Sequence, residues 1–230
     1  MSRFRAVIFD WDGTLVDSLD HITASLAAAA EDCGLPQRSD HELRDIIGLG
    51  LVEALQKLYP GITVAKMTSL REAYGDYFFR SVATPHSLYD GIGELLQELE
   101  ALKPALAVAT GKSRRGLDRA LVSTGLEAFF RLTRCADETR SKPHPLMLEE
   151  ILQQLKIPAS EAVMIGDTVY DLDMAARIGM SSIGVTWGVH DAAALAAHNP
   201  VKIVDEVAQL RLYLAENVRG FATAVKESGL

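Results

Sequence analysis

The sequence predicts an α/β protein built on a doubly wound parallel sheet, interrupted after its first strand by an all-helical insertion. Three observations lead there. Ala6-Val7-Ile8-Phe9 is a short apolar run that stops abruptly at Asp10-Trp11-Asp12-Gly13, the pattern of a strand buried on both faces. From about Asp17 to Ala83 apolar residues recur only at helical spacing. From Pro85 onward short apolar runs alternate with helical segments, which implies right-handed crossovers in a parallel sheet covered on both sides. The expected organisation is a Rossmann-like core over residues 1–16 and 84–230, with a helical cap over residues 17–83.

Within the insertion, Ile22, Leu26, Ala29, Ala30 and Cys33 share one helical face, closed by Gly34. Leu43, Ile46 and Ile47 form a second face leading into Gly48-Leu49-Gly50. Leu51, Ala54, Leu55 and Leu58 form a third, ending at Pro60-Gly61. Met67–Val82 is the longest helix; Leu70, Tyr74, Tyr77 and Phe78 lie along it as a single packing stripe. In the core, Ile92–Leu102 is a helix broken by Pro104, and Leu106–Ala109 a strand ending at Thr110-Gly111-Lys112. Ser113 caps a helix that runs to Gly125. Leu132–Cys135 is a short strand, and Pro143 and Pro145 mark the start of a helix with Met147, Ile151, Leu152 and Leu155 inward. Ala162–Ile165 is a strand ending at Gly166-Asp167, followed by a helix over Tyr170–Ile178. Strands at Ile183–Val185 and Val201–Val204 and a helix over Val207–Val218 complete the pattern.

Bulk properties exclude several classes of function. The chain has 230 residues, 48% hydrophobic and 23% charged, with a formal net charge of −8. An acidic chain without a basic stripe is a poor partner for nucleic acid. No apolar run approaches the roughly 20 residues needed to span a membrane, and the first one is too short for a secretory signal. Cys33 and Cys135 lack metal-ligand spacing and read as buried free thiols in a reducing, cytoplasmic setting. Oligomeric state leaves no mark on the sequence.

The chemistry gathers at strand ends. Asp10 and Asp12 follow the first strand, Thr110 ends the second, and Asp167 follows the Ala162–Ile165 strand with Asp171 one helical turn later. Lys142 precedes the intervening helix, where it opposes the helix dipole. In a doubly wound sheet these tips share one edge and line the ligand crevice. Crowded carboxylates require a cation, and oxygen-only ligands suit Mg²⁺, which also takes phosphate oxygens. An ionised carboxylate beside Mg²⁺ and a lysine can attack phosphorus directly, while a second carboxyl protonates the leaving oxygen. Ala109-Thr110-Gly111-Lys112-Ser113 imitates the end of a P-loop, but the first glycine of that motif would fall at Leu106, inside a strand.

Asp10-Trp11-Asp12-Gly13-Thr14-Leu15 resembles the first motif of the haloacid dehalogenase-like superfamily, and Thr110, Lys142 and Gly166-Asp167-Thr168-Val169-Tyr170-Asp171 resemble its remaining three. The resemblance implies Asp10 as nucleophile and Asp12 as general acid/base, the latter also binding metal through its backbone carbonyl. It implies Thr110, with Gly111, and Lys142 as phosphate ligands, and Asp167 and Asp171 completing a Mg²⁺ site. Gly48 and Gly50 resemble the cap loop that screens substrates. The implied activity is hydrolysis of a small phosphorylated metabolite through a phosphoaspartate, with phosphoglycolate as the leading substrate. A phosphomutase of the same superfamily and a catalytically idle binding protein stay open as alternatives. Asp12 argues against dehalogenation. A Schiff-base reaction would need a buried cap lysine, for which Lys57 and Lys66 are the weak candidates.

Overall fold

The computed structural model describes residues 4–80 and 87–218. In chain order the elements are β1 (Ala6–Phe9), β2 (Val16–Asp17), α1 (Leu19–Asp32), α2 (Asp40–Arg44), α3 (Leu51–Leu58) and α4 (Val64–Arg80). Then come β3 (Ser87–Leu88), α5 (Ile92–Leu102), β4 (Ala105–Thr110), α6 (Arg114–Thr124), β5 (Leu132–Cys135) and α7 (Leu146–Leu155). The chain continues through β6 (Ala162–Gly166), α8 (Val169–Ala176), β7 (Ser181–Val185), α9 (Ala192–Ala196), β8 (Lys202–Val204) and α10 (Val207–Asn217). The expected boundary at 83/84 and the end of the helix at Val82 lie outside the described residues.

Six strands form one sheet in the order β5-β4-β1-β6-β7-β8, with every pairing parallel. The first strand therefore lies in the interior of the sheet. Alternation along the strands divides the core into two layers. Val7, Phe9, Leu106, Val108, Val163 and Ile165 meet α5, α6 and α10 on one face. Ala6, Ile8, Ala105, Ala107, Ala109 and Ala162 meet the larger side chains of α7 and α8 on the other. The alanine-rich face lets those helices pack close while their leucines, isoleucine and methionines fill the space.

Helices α1–α4 intervene between β1 and β4 and carry a core of their own, with Leu26, Leu55, Leu58 and Leu70 buried together. Leu70, Tyr74 and Phe78 face inward on α4, but Tyr77 is displaced from the expected stripe: it is 37% exposed, and its hydroxyl donates to Asp32. Positions 70, 74 and 78 already cover the contact with α1, so Tyr77 falls on its flank. Cys135 is buried, whereas Cys33, at the end of α1, is only half-buried. A two-stranded antiparallel ribbon, β2 with β3, had no periodicity to reveal it.

Candidate active site

The register around β1 decides what meets at the sheet edge. Phe9 pairs with Val108 on one side and Ile165 on the other. Asp10 therefore leaves the sheet level with the ends of β4 and β6, and its amide donates to the Ile165 carbonyl at 2.9 Å. Thr110, at the end of β4, and Asp167, just beyond β6, emerge buried at the same edge. Thr168 caps α8 and forms a capping box with Asp171, its hydroxyl donating to Asp171 Oδ2 at 2.6 Å. The box fixes the carboxylate, and Asp171 Oδ1 lies 2.7 Å from Lys142 Nζ. The same ammonium is 2.7 Å from Asp10 Oδ1. Lys142 lies upstream of α7, whose N-cap is Pro145, so it is outside the first turn and the expected conflict with the helix dipole does not arise.

One ligand oxygen each from Asp10, Asp167 and Asp171 fall within 4.8 Å of one another, all buried. The electrostatics follow from that crowding. Burial, then repulsion from Asp171 and Asp167, drives the Asp10 pKa well above the carboxylate range, against the pull of Lys142. Burial and Asp171 likewise lift Asp167 to about 7, although the Val189 amide and Thr14 hydroxyl hold it down. Burial opposes the charge on Lys142, yet Asp10 and Asp171 more than offset it and keep the ammonium above its ordinary value. Asp10 Oδ2 accepts no hydrogen bond among the described residues. A dry site with surplus negative charge and an unmatched carboxylate oxygen fits a hard divalent cation, with Asp10, Asp167 and Asp171 able to hold it.

Asp12 turns away from this cluster. Its Oδ1 accepts from Ser18 Oγ at 2.6 Å and from Lys112 Nζ at 2.8 Å. Of the expected metal set, the side chains of Asp10, Asp167 and Asp171 gather and that of Asp12 does not. Gly48 and Gly50 sit where the insertion meets the core. The Gly50 amide donates to Ser141 Oγ at 2.8 Å, next to Lys142. A β-carbon on Gly111 would stand 2.6 Å from the Gly48 carbonyl oxygen and 2.5 Å from that of Leu49. The cap loop is thus seated directly on the tip of β4. Lys57 pairs with Asp45 and Tyr170, and Lys66 donates to the Cys33 carbonyl, so both cap lysines are engaged outside the carboxylate cluster.

Sequence reasoning missed several supporting residues. Asp167 is held by Thr14 Oγ1 at 2.7 Å and by the Val189 amide at 2.9 Å. Lys112 was visible, two residues after Thr110, but nothing in the pattern tied it to Asp12. The loop holding Gly188 and Val189 follows β7 without any marker of its own.

The model of the haloacid dehalogenase-like hydrolase family matches residues 7–185. The chain belongs to that family. The hydrolase is 36% identical over 208 residues to a Dickeya dadantii protein named Probable phosphatase IndB, covering 89% of its own length and 90% of the relative's. It is 27% identical over 214 residues to a phosphoglycolate phosphatase of Vibrio parahaemolyticus, covering 90% and 94% of the two chains. The crystal structure of a predicted phosphoglycolate phosphatase from Haemophilus somnus superposes with a TM-score of 0.84 at 25% identity, covering 94% of this chain and 99% of that one. A hydrolase from Pseudomonas syringae, at 23% identity, shares the fold with a TM-score of 0.85, covering 93% and 98%. The protein is thus a phosphatase-type hydrolase on a Rossmann-like core with a helical cap. No helix among the described residues is long and apolar enough to cross a membrane.

Proposed function

We propose that the hydrolase is a cytoplasmic, Mg²⁺-dependent phosphomonoesterase that works through a phosphoaspartate on Asp10, with phosphoglycolate as its leading substrate. The observation that carries this reading is the buried Asp10 carboxylate, 2.7 Å from Lys142 Nζ and grouped with Asp167 and Asp171. Asp10 attacks phosphorus, and the bond to the leaving oxygen breaks as Asp12 supplies its proton. Asp12 then takes a proton from the water that cleaves the acyl-phosphate, returning Asp10 and releasing phosphate. Thr110 and Lys142 hold the phosphoryl oxygens where transition-state charge spreads. Asp10, Asp167, Asp171 and the Asp12 carbonyl would hold the cation. When bound, it neutralises the carboxylates and the phosphoryl charge. Gly48, Gly50 and Gly111 bring the cap against the substrate.

Phosphate release with Mg²⁺ across a panel of small metabolite phosphates tests the reading. The wild type is expected to release phosphate, and Asp10→Asn to lower the rate at least about 10³-fold with the fold intact by circular dichroism. An unchanged rate in Asp10→Asn would remove Asp10 from its role. An isomerised phosphate ester in place of free phosphate would favour a mutase.

A further inference from the structure

Lys142 serves the phosphoryl pocket, yet a second, partly buried lysine stands at Asp12 with no part in the reaction above. The Lys112 side chain is 9% exposed, and its ammonium lies 2.8 Å from Asp12 Oδ1. On its other side the ammonium sits 5.0 Å from the centre of the Phe78 ring, on α4 of the cap. The stem starts from a fixed point. The Lys112 amide donates to Thr110 Oγ1 at 3.2 Å, and its carbonyl accepts from the Ala136 amide at 3.1 Å. Gly111, just before it, is covered by the carbonyls of Gly48 and Leu49.

The position of this cation is what matters. Lys142 is already shared between Asp10 and Asp171, on the side where phosphorus would sit. Lys112 ends instead beside Asp12, the carboxyl assigned to the leaving oxygen, so it faces the organic part of the substrate. The Phe78 ring is itself close-set, 5.6 Å from Tyr74 and 4.7 Å from His21, centre to centre. An ammonium in such low-dielectric surroundings strongly favours an anionic neighbour over a neutral one.

We propose that Lys112 is a specificity-determining residue that selects small phosphate esters whose organic part carries a second oxyanion close to the ester oxygen, its ammonium passing from Asp12 to that oxyanion. The inference rests on the phosphatase reading, which assigns Asp12 to the leaving group. It separates such substrates from phosphate esters of neutral alcohols, which offer Lys112 no counter-charge.

Non-hydrolysable ligands test it without turnover. The full-length, Mg²⁺-loaded protein is titrated calorimetrically with ethylphosphonate, phosphonoacetate and methylenediphosphonate. The wild type is expected to bind at least one of the two ligands that carry a second anionic group about tenfold or more tighter than ethylphosphonate. The tighter of these two identifies the second oxyanion as carboxylate or phosphate. Lys112→Met is expected to reduce the preference to within about threefold, and Lys112→Arg to retain most of it. Should Lys112→Met fail to fold by circular dichroism, Lys112→Gln carries the same expectation. No preference in the wild type, or an equal loss for all three ligands in Lys112→Met, overturns the inference. Failure of the underlying reading looks different: no phosphate is then released from any monoester, including p-nitrophenyl phosphate.

Discussion

At the scale of single residues, the site depends on how firmly each carboxylate is held. Asp167 has almost no freedom. Thr14 occupies Oδ1 and the Val189 amide occupies Oδ2, while Gly13 and Gly188 leave no room for a β-carbon on either side. At Gly13 the backbone also runs at φ +78°, which disfavours any side chain. Gly188 has no such strain, so it isolates the steric effect: a β-carbon there would stand 2.2 Å from Asp167 Oδ2. Gly188→Ala is therefore expected to push the carboxylate aside by a fraction of an ångström or more. Misplacement of that order lowers kcat on the order of 100-fold. The same variant should require more Mg²⁺ for half-maximal activity while its fold stays intact. Steady-state kinetics across a Mg²⁺ series checks this, and a wild-type Mg²⁺ dependence would show that the cradle is dispensable.

At the scale of elements, the cap is fastened to the core by a small polar hub. Tyr170, in the first turn of α8, donates its hydroxyl to the Asp45 carbonyl at 2.6 Å. The Lys57 ammonium lies 2.6 Å from the same hydroxyl and 2.7 Å from Asp45 Oδ2. His190, whose Nδ1 accepts from the Val169 amide, approaches Asp45 on its other oxygen. Tyr170→Phe keeps the ring and removes the bridging hydroxyl. The expected cost is about 1 kcal/mol, felt where the cap meets the core rather than in the sheet. Hydrogen exchange should quicken at the junction, residues 45–50 and the start of α8, and leave β1, β4 and β6 unchanged; unchanged protection at the junction would mean the hub holds nothing. None of this hub was legible in the sequence. Strand tips were, because Asp10, Thr110 and Asp167 each stand at the end of an apolar run, and β1, β4 and β6 announce themselves by composition alone. Asp45, Tyr170 and His190 come from the end of a cap helix, a core helix and the loop after β7, and their meeting leaves no periodic trace. The ribbon of β2 and β3 escaped for the same reason: paired strands of two residues each are too short to show alternation.

At the scale of the whole molecule, an acidic chain keeps a surplus of carboxylates in its driest place, and that surplus ties stability to protons and metal. Without metal, Asp167 in the folded chain titrates at about 7, against an ordinary value of 3.8. Between those two values the folded state holds a proton that the unfolded state has released. The contribution of this group to stability is then greatest at low pH and is lost as pH rises towards 7, the direction set by a raised carboxylate. Asp10, raised well above its ordinary value as well, acts in the same direction. A divalent cation competes with those protons for the same oxygens, so its stabilising effect should grow as they leave. Melting temperatures of the chelator-treated protein, followed from about pH 5 to about pH 8, are expected to fall more steeply for the wild type than for Asp167→Asn. The difference between the two proteins removes the contribution of every carboxylate and histidine they share. Added Mg²⁺ should raise the wild-type melting temperature more at the upper end of that range than at the lower, and raise that of Asp167→Asn much less throughout. Parallel pH profiles for the two metal-free proteins would show that the cluster is not the charge-strained centre its burial implies.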